Sequence, residues 1–153
     1  VQGDGTVVKQ SAYHRNEAAV PEAVLALAKQ RYPGAEPVHF ETEVYADLGQ
    51  VYEIEVDTDG KRCELAARAD GTELYTECHA DPASLSAAAK ATIEGIAPGG
   101  KILEVEIKER PGATPEITVE VEHDGQELYL LLDGDGGLMS AWRRVPAIVE
   151  LPM

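Results

Sequence analysis

Tyr52-Glu53-Ile54-Glu55-Val56-Asp57-Thr58-Asp59-Gly60-Lys61-Arg62-Cys63-Glu64-Leu65 is the stretch that decides the fold. Up to Val56, apolar and acidic residues alternate with a period of two, as in a strand with one face on a core and the other in water. Asp59-Gly60 is a tight-turn dipeptide, so the chain reverses there and pairs the first strand with Arg62–Arg68. The pattern returns 65 residues later, where Glu120-Val121 falls on Glu55-Val56, Asp124-Gly125 on Asp59-Gly60 and Leu130 on Leu65. The same offset lays Pro98-Gly99 on Pro33-Gly34, Glu106 on Glu41 and Asp135-Gly136 on Asp70-Gly71. Turn and core positions are those that geometry constrains most, so the chain reads as an internal duplication.

Each copy opens with a helical pattern. Val20-Pro21 starts the first, with Val24, Leu27, Ala28 and Arg31 at helical spacing before Tyr32-Pro33-Gly34. Asp81-Pro82 precedes the second, in which Ser84, Leu85, Ala88, Ala89, Thr92, Ile93 and Ile96 lead to Pro98-Gly99-Gly100. The period then changes to two. Val38, Phe40 and Thr42 alternate with His39, Glu41 and Glu43, and the strands around Ile54, Arg62–Arg68 and Glu73–His79 follow; copy two repeats them as Ile102–Lys108, Glu116–Glu122, Glu127–Leu132 and Leu138–Arg143. The predicted fold is α+β, two tandem repeats, each a helix packed on a four-stranded antiparallel meander. The helices are expected to cover Ile54, Val56, Leu65 and Leu74 in copy one, and Val119, Val121, Leu130 and Met139 in copy two. The boundaries are an N-terminal extension at 1–19, repeats at 20–80 and 81–145, and a tail at 146–153.

Charge narrows the partners. Thirteen basic residues against 28 acidic ones give a formal charge of −15 spread along the chain, which disfavours nucleic acid and anionic lipid and favours metal cations or a basic protein surface. No apolar run approaches the roughly 18 residues of a membrane span. The chain begins at Val1, which reads as a processed, exported form, and two cysteines suit an extracytoplasmic, periplasmic or secreted location.

Val20-Pro21-Glu22-Ala23-Val24, Tyr32-Pro33-Gly34-Ala35, Tyr52-Glu53-Ile54-Glu55-Val56 before Asp59-Gly60-Lys61, and Ala69-Asp70-Gly71 together resemble the PepSY-like family. Copy two is similar in Gly100-Lys101-Ile102, Val119-Glu120-Val121 and Asp124-Gly125-Gln126, and two such units in tandem resemble the arrangement of β-lactamase inhibitory protein. The resemblance covers residues 20 to 145. It implies an exported protein that binds or inhibits other proteins, with metal binding in some members, and it brings no catalytic residues.

The residues themselves carry no nucleophile, zincin, dinucleotide or phosphate-loop motif, and His14, His39, His79 and His123 do not recur at the repeat offset. No enzymatic activity is expected. A two-residue turn at Asp70-Gly71 would set Cys63 opposite Cys78 as a hydrogen-bonded pair with Cα atoms about 5.5 Å apart, close enough for a disulfide, whereas a three-residue turn would break the alignment. Buried thiols, or a metal or redox role beside His79, are the alternatives. On the other sheet face, a simple meander would bring Glu41, Glu55, Glu64 and Glu77 into one row. Like charges directly opposite repel, so the row is a solvated face, a site for calcium or a lanthanide, or a receptor for basic side chains of a partner. In copy two the row becomes Glu106, Glu120, Tyr129 and Trp142. With Tyr75, these aromatics are the candidate partner-binding residues, Trp142 having burial as its alternative role. Thr6-Val7-Val8 is a candidate strand that either covers an edge of its own sheet or links copies into a self-assembling fibre.

Overall fold

The computed structural model describes residues 9–46 and 48–145. They form two compact units, one running from residue 9 to 79 with 108–114 and the other comprising 80–107 with 115–145. In the first unit, β1 (Lys9–His14), α1 (Glu22–Arg31), β2 (Glu36–Tyr45), β3 (Gly49–Thr58), β4 (Lys61–Ala67) and β5 (Glu73–His79) follow in chain order. β1 pairs with β2, β2 with β3, β3 with β4 and β4 with β5, all antiparallel. In the second, α2 (Ala87–Ile96) precedes β6 (Lys101–Glu109), β7 (Glu116–His123), β8 (Gln126–Asp133) and β9 (Leu138–Arg143). Lys108 and Glu109, the end of β6, belong to the first unit.

The two helices start 65 residues apart and have the same length. Their caps agree, Tyr32 at φ −127°, ψ 71° and Ala97 at φ −129°, ψ 70°. The Asp-Gly turns recur as well, with Asp59 and Asp124 at φ 54° and 51°, followed by Gly60 and Gly125 at 75° and 71°. Two consecutive positive φ values make each a type I′ hairpin, the turn whose twist suits the strands it joins. The second helix begins later than its apolar pattern suggests. Asp81 caps a single 3-10 turn at Pro82–Ser84, Leu85 drops into the core, and the Ser86 side chain accepts from the Ala89 N–H at the true helix start.

Each helix covers one sheet face. Val24 and Ala28 of α1 pack with Phe40, Ile54, Val56, Cys63 and Leu65; Ala89 and Ile93 of α2 pack with Val105, Val119, Val121, Leu130 and Leu132. The buried helix positions coincide at the repeat offset, but volume is redistributed from Val-Ala to Ala-Ile.

Leu74 and Met139, expected under the helices, are not in these cores, and Met139 is 54% exposed. A register shift between Ala66 and Ala67 brings Glu73 opposite Ala67, and the equivalent shift between Leu131 and Leu132 brings Leu138 opposite Leu132, so both residues are skipped by the ladder. Val38 fails for the same reason: a shift between Pro37 and His39 passes it by, leaving it 53% exposed.

The Asp-Gly segments at Asp70 and Asp135 make wider turns that meet the helices. Arg68 N–H donates to Thr72 and Asp133 N–H to Gly137. A Cβ on Gly71 would sit 3.1 Å from the Ala23 carbonyl oxygen, and one on Gly136 only 2.4 Å from the Ala89 nitrogen. Gly136→Ala is therefore expected to add an overpacking cost of about 1–3 kcal/mol to the roughly 1–2 kcal/mol of left-handed strain. Gly60→Ala, with φ +75° but open space around the new Cβ, should show the strain alone. Urea denaturation of the two variants measures the difference.

β1 pairs within its own chain, from Lys9 opposite Tyr45 to His14 opposite Phe40. Thr6-Val7-Val8 lies outside the described residues.

Candidate functional site

The helix-free face of the first unit is built from alternate residues of five strands. Tyr45 pairs across from Gly49, which sets the partners along both strands. Glu41 faces Glu53, and Glu55 faces His39 on one side and Glu64 on the other. Glu64 in turn faces Glu77. Glu55, Glu64 and Glu77 thus share a row as expected, but Glu41 does not. The loop is centred one residue earlier than that row requires, which moves Glu41 two positions along β3.

The row is compensated by cations at its ends. Arg62 lies 3.2 Å from Glu55, and Lys108 lies 2.7 Å from Glu77 with its ammonium 4.3 Å from the centre of the Tyr75 ring. Beside the row lies a second carboxyl set that sequence reading missed. Glu43 is 1% exposed and Glu53 6%. Glu43 accepts from Ser11 Oγ at 2.9 Å and from the Tyr45 hydroxyl, and pairs with Lys9. Burial alone would raise its pKa, but the hydrogen bonds from Lys9, Tyr45, Glu53 and Ser11 outweigh it and hold the carboxyl down at about 2. Glu53 goes the other way. Burial first, then the charges of Glu64 and Glu43, push it up to about 8 against the hydrogen bond from Tyr75. Tyr75 Oη donates to Glu53 at 2.5 Å and shares that proton with Glu64 at 3.1 Å.

Burial also raises Glu64. Tyr13, His39, Glu41, Glu53, Glu55 and Glu64 line an open depression of about 220 Å³, at whose rim the Tyr13 and His39 rings stand 4.9 Å apart, tilted by 57°. Glu41, Glu43 and Glu53 bring carboxylate oxygens within 4.8 Å of one another.

The signal for Glu43 and Glu53 was present in the alternation, which sets both on the face of Glu41 and Glu55. The alternation does not show which of these carboxyls are buried; β2 and β3 run on to Tyr45 and back to Gly49, which carries both residues into the middle of the face. Lys108 carried no signal, since strand order alone brings it to Glu77.

Cys63 and Cys78 are bonded and directly opposite. Their Cα atoms are 4.1 Å apart, the spacing of a non-hydrogen-bonded pair rather than the hydrogen-bonded one anticipated. The turn does hold three residues between Arg68 and Thr72, but the bulge at Ala66/Ala67 restores the register that such a turn would lose.

On the helix-free face of the second unit, Glu120, Tyr129 and Trp142, three of the four members of the expected row, stand opposite one another. Trp142 is 54% exposed, so it fills no core. Arg144 stacks 5.0 Å from the Tyr129 ring centre while paired with Glu127 at 2.7 Å. Tyr75, by contrast, is half-buried and its hydroxyl is committed to Glu53 and Glu64; it organises the carboxyl set.

Residues 21–77 match the PepSY family, described as peptidase propeptide and YPEB domain. Among solved structures, a BLIP-like protein from Bacteroides fragilis is 22% identical, with 87% of this chain and 93% of that one covered at a TM-score of 0.65. A protein described as periplasmic from Bacteroides eggerthii is 15% identical, with 81% and 88% covered at 0.70. A DUF2874 family protein from Bacteroides uniformis is 16% identical, with 81% and 89% covered at 0.69. At these identities the likeness is one of fold. No curated protein matches the sequence.

Proposed function

We propose that this chain, whose residues 21–77 form a PepSY domain, is a non-catalytic extracytoplasmic protein of two tandem copies of one unit, and that it engages a protein partner through the helix-free face of its sheets. The observation that carries this reading is Trp142, exposed on that face and paired across the strands with Tyr129. A large aromatic held in water by a rigid strand supplies contact area at low entropic cost, the usual character of a binding hot spot. The extracytoplasmic location is supported by the disulfide, which oxidising compartments preserve, and by a neighbour of like fold described as periplasmic.

A BLIP-like neighbour makes inhibition of a secreted hydrolase the form of binding to test first. The wild-type chain and the Tyr129→Ala/Trp142→Ala variant would be titrated against class A β-lactamases and secreted peptidases. Inhibition that the variant loses by about thirtyfold or more, a hot-spot effect of about 2 kcal/mol, supports the reading. The melting temperature should stay within about 2 °C, because the substituted rings pack on no core. Equal inhibition by both proteins removes this face from the site, and none across the panel removes inhibition of these classes.

A second reading is a hard cation, calcium or a lanthanide, held by Glu41, Glu43 and Glu53, with Glu55, Glu64 and Glu77 alongside. Its support is the 4.8 Å cluster of carboxylate oxygens. Such an ion would have to expel the Glu53 proton and compete with Lys9, so its affinity should rise with pH. The reading predicts that millimolar calcium or micromolar lanthanide raises the melting temperature more at pH 8.5 than at pH 6, and that Glu41→Gln abolishes the rise. An unchanged melt in chelator and in either ion rejects it. Self-association through the N-terminal segment has less support, since β1 is already paired in its own chain.

A further inference from the structure

β9 has β8 on one side, and no strand among the described residues pairs with its other side. Every residue of it but the half-buried Ser140 is exposed, and Leu138 to Trp142 carry no charge. Sheet edges are normally blunted by lysine, proline or an inward charge. From Leu138 to Trp142 this edge has none of them. The pairing with β8 fixes which backbone groups stay open. Arg144 N–H donates to the Glu127 carbonyl at 2.9 Å, and further along the pair Tyr129 faces Trp142 and Leu131 faces Ser140. Hydrogen-bonded and non-hydrogen-bonded pairs alternate along an antiparallel ladder, so Trp142 and Ser140 turn their N–H and C=O groups to β8, while Ala141 and Arg143 turn theirs outward. The edge is open to a further strand.

Charge decides which kind of strand. The chain has 28 acidic residues, yet none from Gly136 to Val149, its longest acid-free run. Arg143 and Arg144 fall in that run. Arg144 is spent on Glu127 and the Tyr129 ring, whereas Arg143 is exposed and has no carboxylate partner among the described residues. Both arginines line an open depression of about 420 Å³ with Gly125, Gln126, Glu127 and Val145. We propose that the outer edge of β9 receives an extended segment of the protein partner as an added strand, and that this segment alternates apolar residues, which meet Trp142, with a carboxylate that pairs with Arg143. This rests on the reading of the Trp142 surface as partner-binding and names what it takes. Trp142 shares the helix-free face with Tyr129, and Arg143 stands opposite Leu128 on the other face, so an added strand meets the two with successive residues. Backbone bonds to Ala141 and Arg143 supply affinity, and the two side chains supply selectivity. A second copy of the chain fits less well, because its β9 brings no carboxylate to Arg143 and its body brings a further formal charge of −15.

A displayed library of random peptides, each about seven residues and so the length of a strand, is selected on the intact wild-type chain. Enriched peptides should alternate apolar and acidic residues, and synthetic copies should bind Ala141→Pro about tenfold or more weakly than wild type. Proline at 141 removes an outward N–H and no bond to β8, so the ladder within the chain is kept. Selection on Arg143→Glu should replace the acid by lysine or arginine. In the wild type the Ala141 and Arg143 amides should gain protection from hydrogen exchange when the peptide binds, a readout that serves even if Ala141→Pro does not fold. No enriched peptide, enrichment without an acid, equal binding to Ala141→Pro, or unchanged exchange at 141 and 143 overturns the proposal. So does a wild-type dimer that Ala141→Pro returns to monomer, which would give the edge to a second copy. Tyr129→Ala/Trp142→Ala separates this inference from the reading it rests on. Peptides that need Trp142 but ignore Ala141→Pro keep the face as the site and overturn the edge; peptides lost from Ala141→Pro but held by the double variant support the edge and remove the face.

Discussion

Replacing Cys63 and Cys78 together by alanine is expected to destabilise the first unit by about 3 kcal/mol, and dithiothreitol should do the same to the wild type. The bond closes a segment of 15 residues, and the loop-entropy relation gives about 3 kcal/mol for a loop of that length. The packing around the bond adds to this. Cys63 is part of the buried core and Cys78 packs against it, with the Tyr32 hydroxyl 3.6 Å from the Cys78 sulfur. Loss of the bond therefore loosens β5 from β4 and also disturbs the packing under α1. The measurement is a guanidinium melt of wild type and double variant, each with and without reductant. Reductant should lower the wild-type midpoint to that of the variant, by about 10 °C in a parallel thermal scan, and should leave the variant unmoved. If the units unfold in separate steps, only one step should shift, because both cysteines lie in the first. Equal midpoints for all four samples would mean that the bond contributes nothing.

The second large effect is on pH dependence. Glu53 has a folded-state pKa near 8, above the roughly 4.3 of an unfolded glutamate. Between those values the native state binds the extra proton, so stability falls as pH rises, by up to about 1.4 kcal/mol per pH unit. Its contribution is full below the unfolded value and gone above pH 8. Glu43 has the opposite sign. Held at about 2, it contributes fully above the unfolded value and loses that contribution as pH falls toward 2. The two slopes place the stability maximum near pH 4–5, more acidic than is usual. General repulsion in a chain of formal charge −15 also favours lower pH, but salt screens it, whereas a buried pair is screened much less. Denaturant midpoints from pH 4 to 9, at low and high salt, should show a fall that persists in high salt for the wild type and flattens in Glu53→Gln. A fall that salt abolishes in both proteins would assign the effect to surface charge and leave Glu53 an ordinary ionised carboxylate.

Glu41 and Glu53 show how far the sequence could be read. Period-two alternation told which face each residue takes, because side chains in a strand have no other choice. It did not tell which residues stand opposite. A register is the sum of a loop length and every bulge along the pair, and a shift of a single residue changes each partner. The pairing of Tyr45 with Gly49 gave Glu41 to Glu53, and the bulges at Ala66 and Leu131 removed Leu74 and Met139 from the cores. Where the turn was a two-residue Asp-Gly pair, as at Asp59 and Asp124, the partners were legible to the residue: Glu55 with Glu64, Glu120 with Tyr129. Tyr75 shows a second limit. Its type suggested a partner contact, but a hydroxyl beside two carboxylates is recruited by them once all three are partly desolvated.

The sequence by itself determined the element types, the 65-residue recurrence, the face each side chain takes and the resemblance to PepSY domains. All of these rest on local rules: period, turn chemistry and the alternation of Cβ atoms. Only the tertiary structure decided that Glu43 and Glu53 are buried together under Lys9, Ser11, Tyr45 and Tyr75, that Lys108 ends the acidic row at Glu77, and that Trp142 stands in solvent. The protonation of a carboxyl depends on how much water it has lost and on which charges lie within a few ångströms. Those neighbours come from strands far apart in the chain, and no local pattern records their distances.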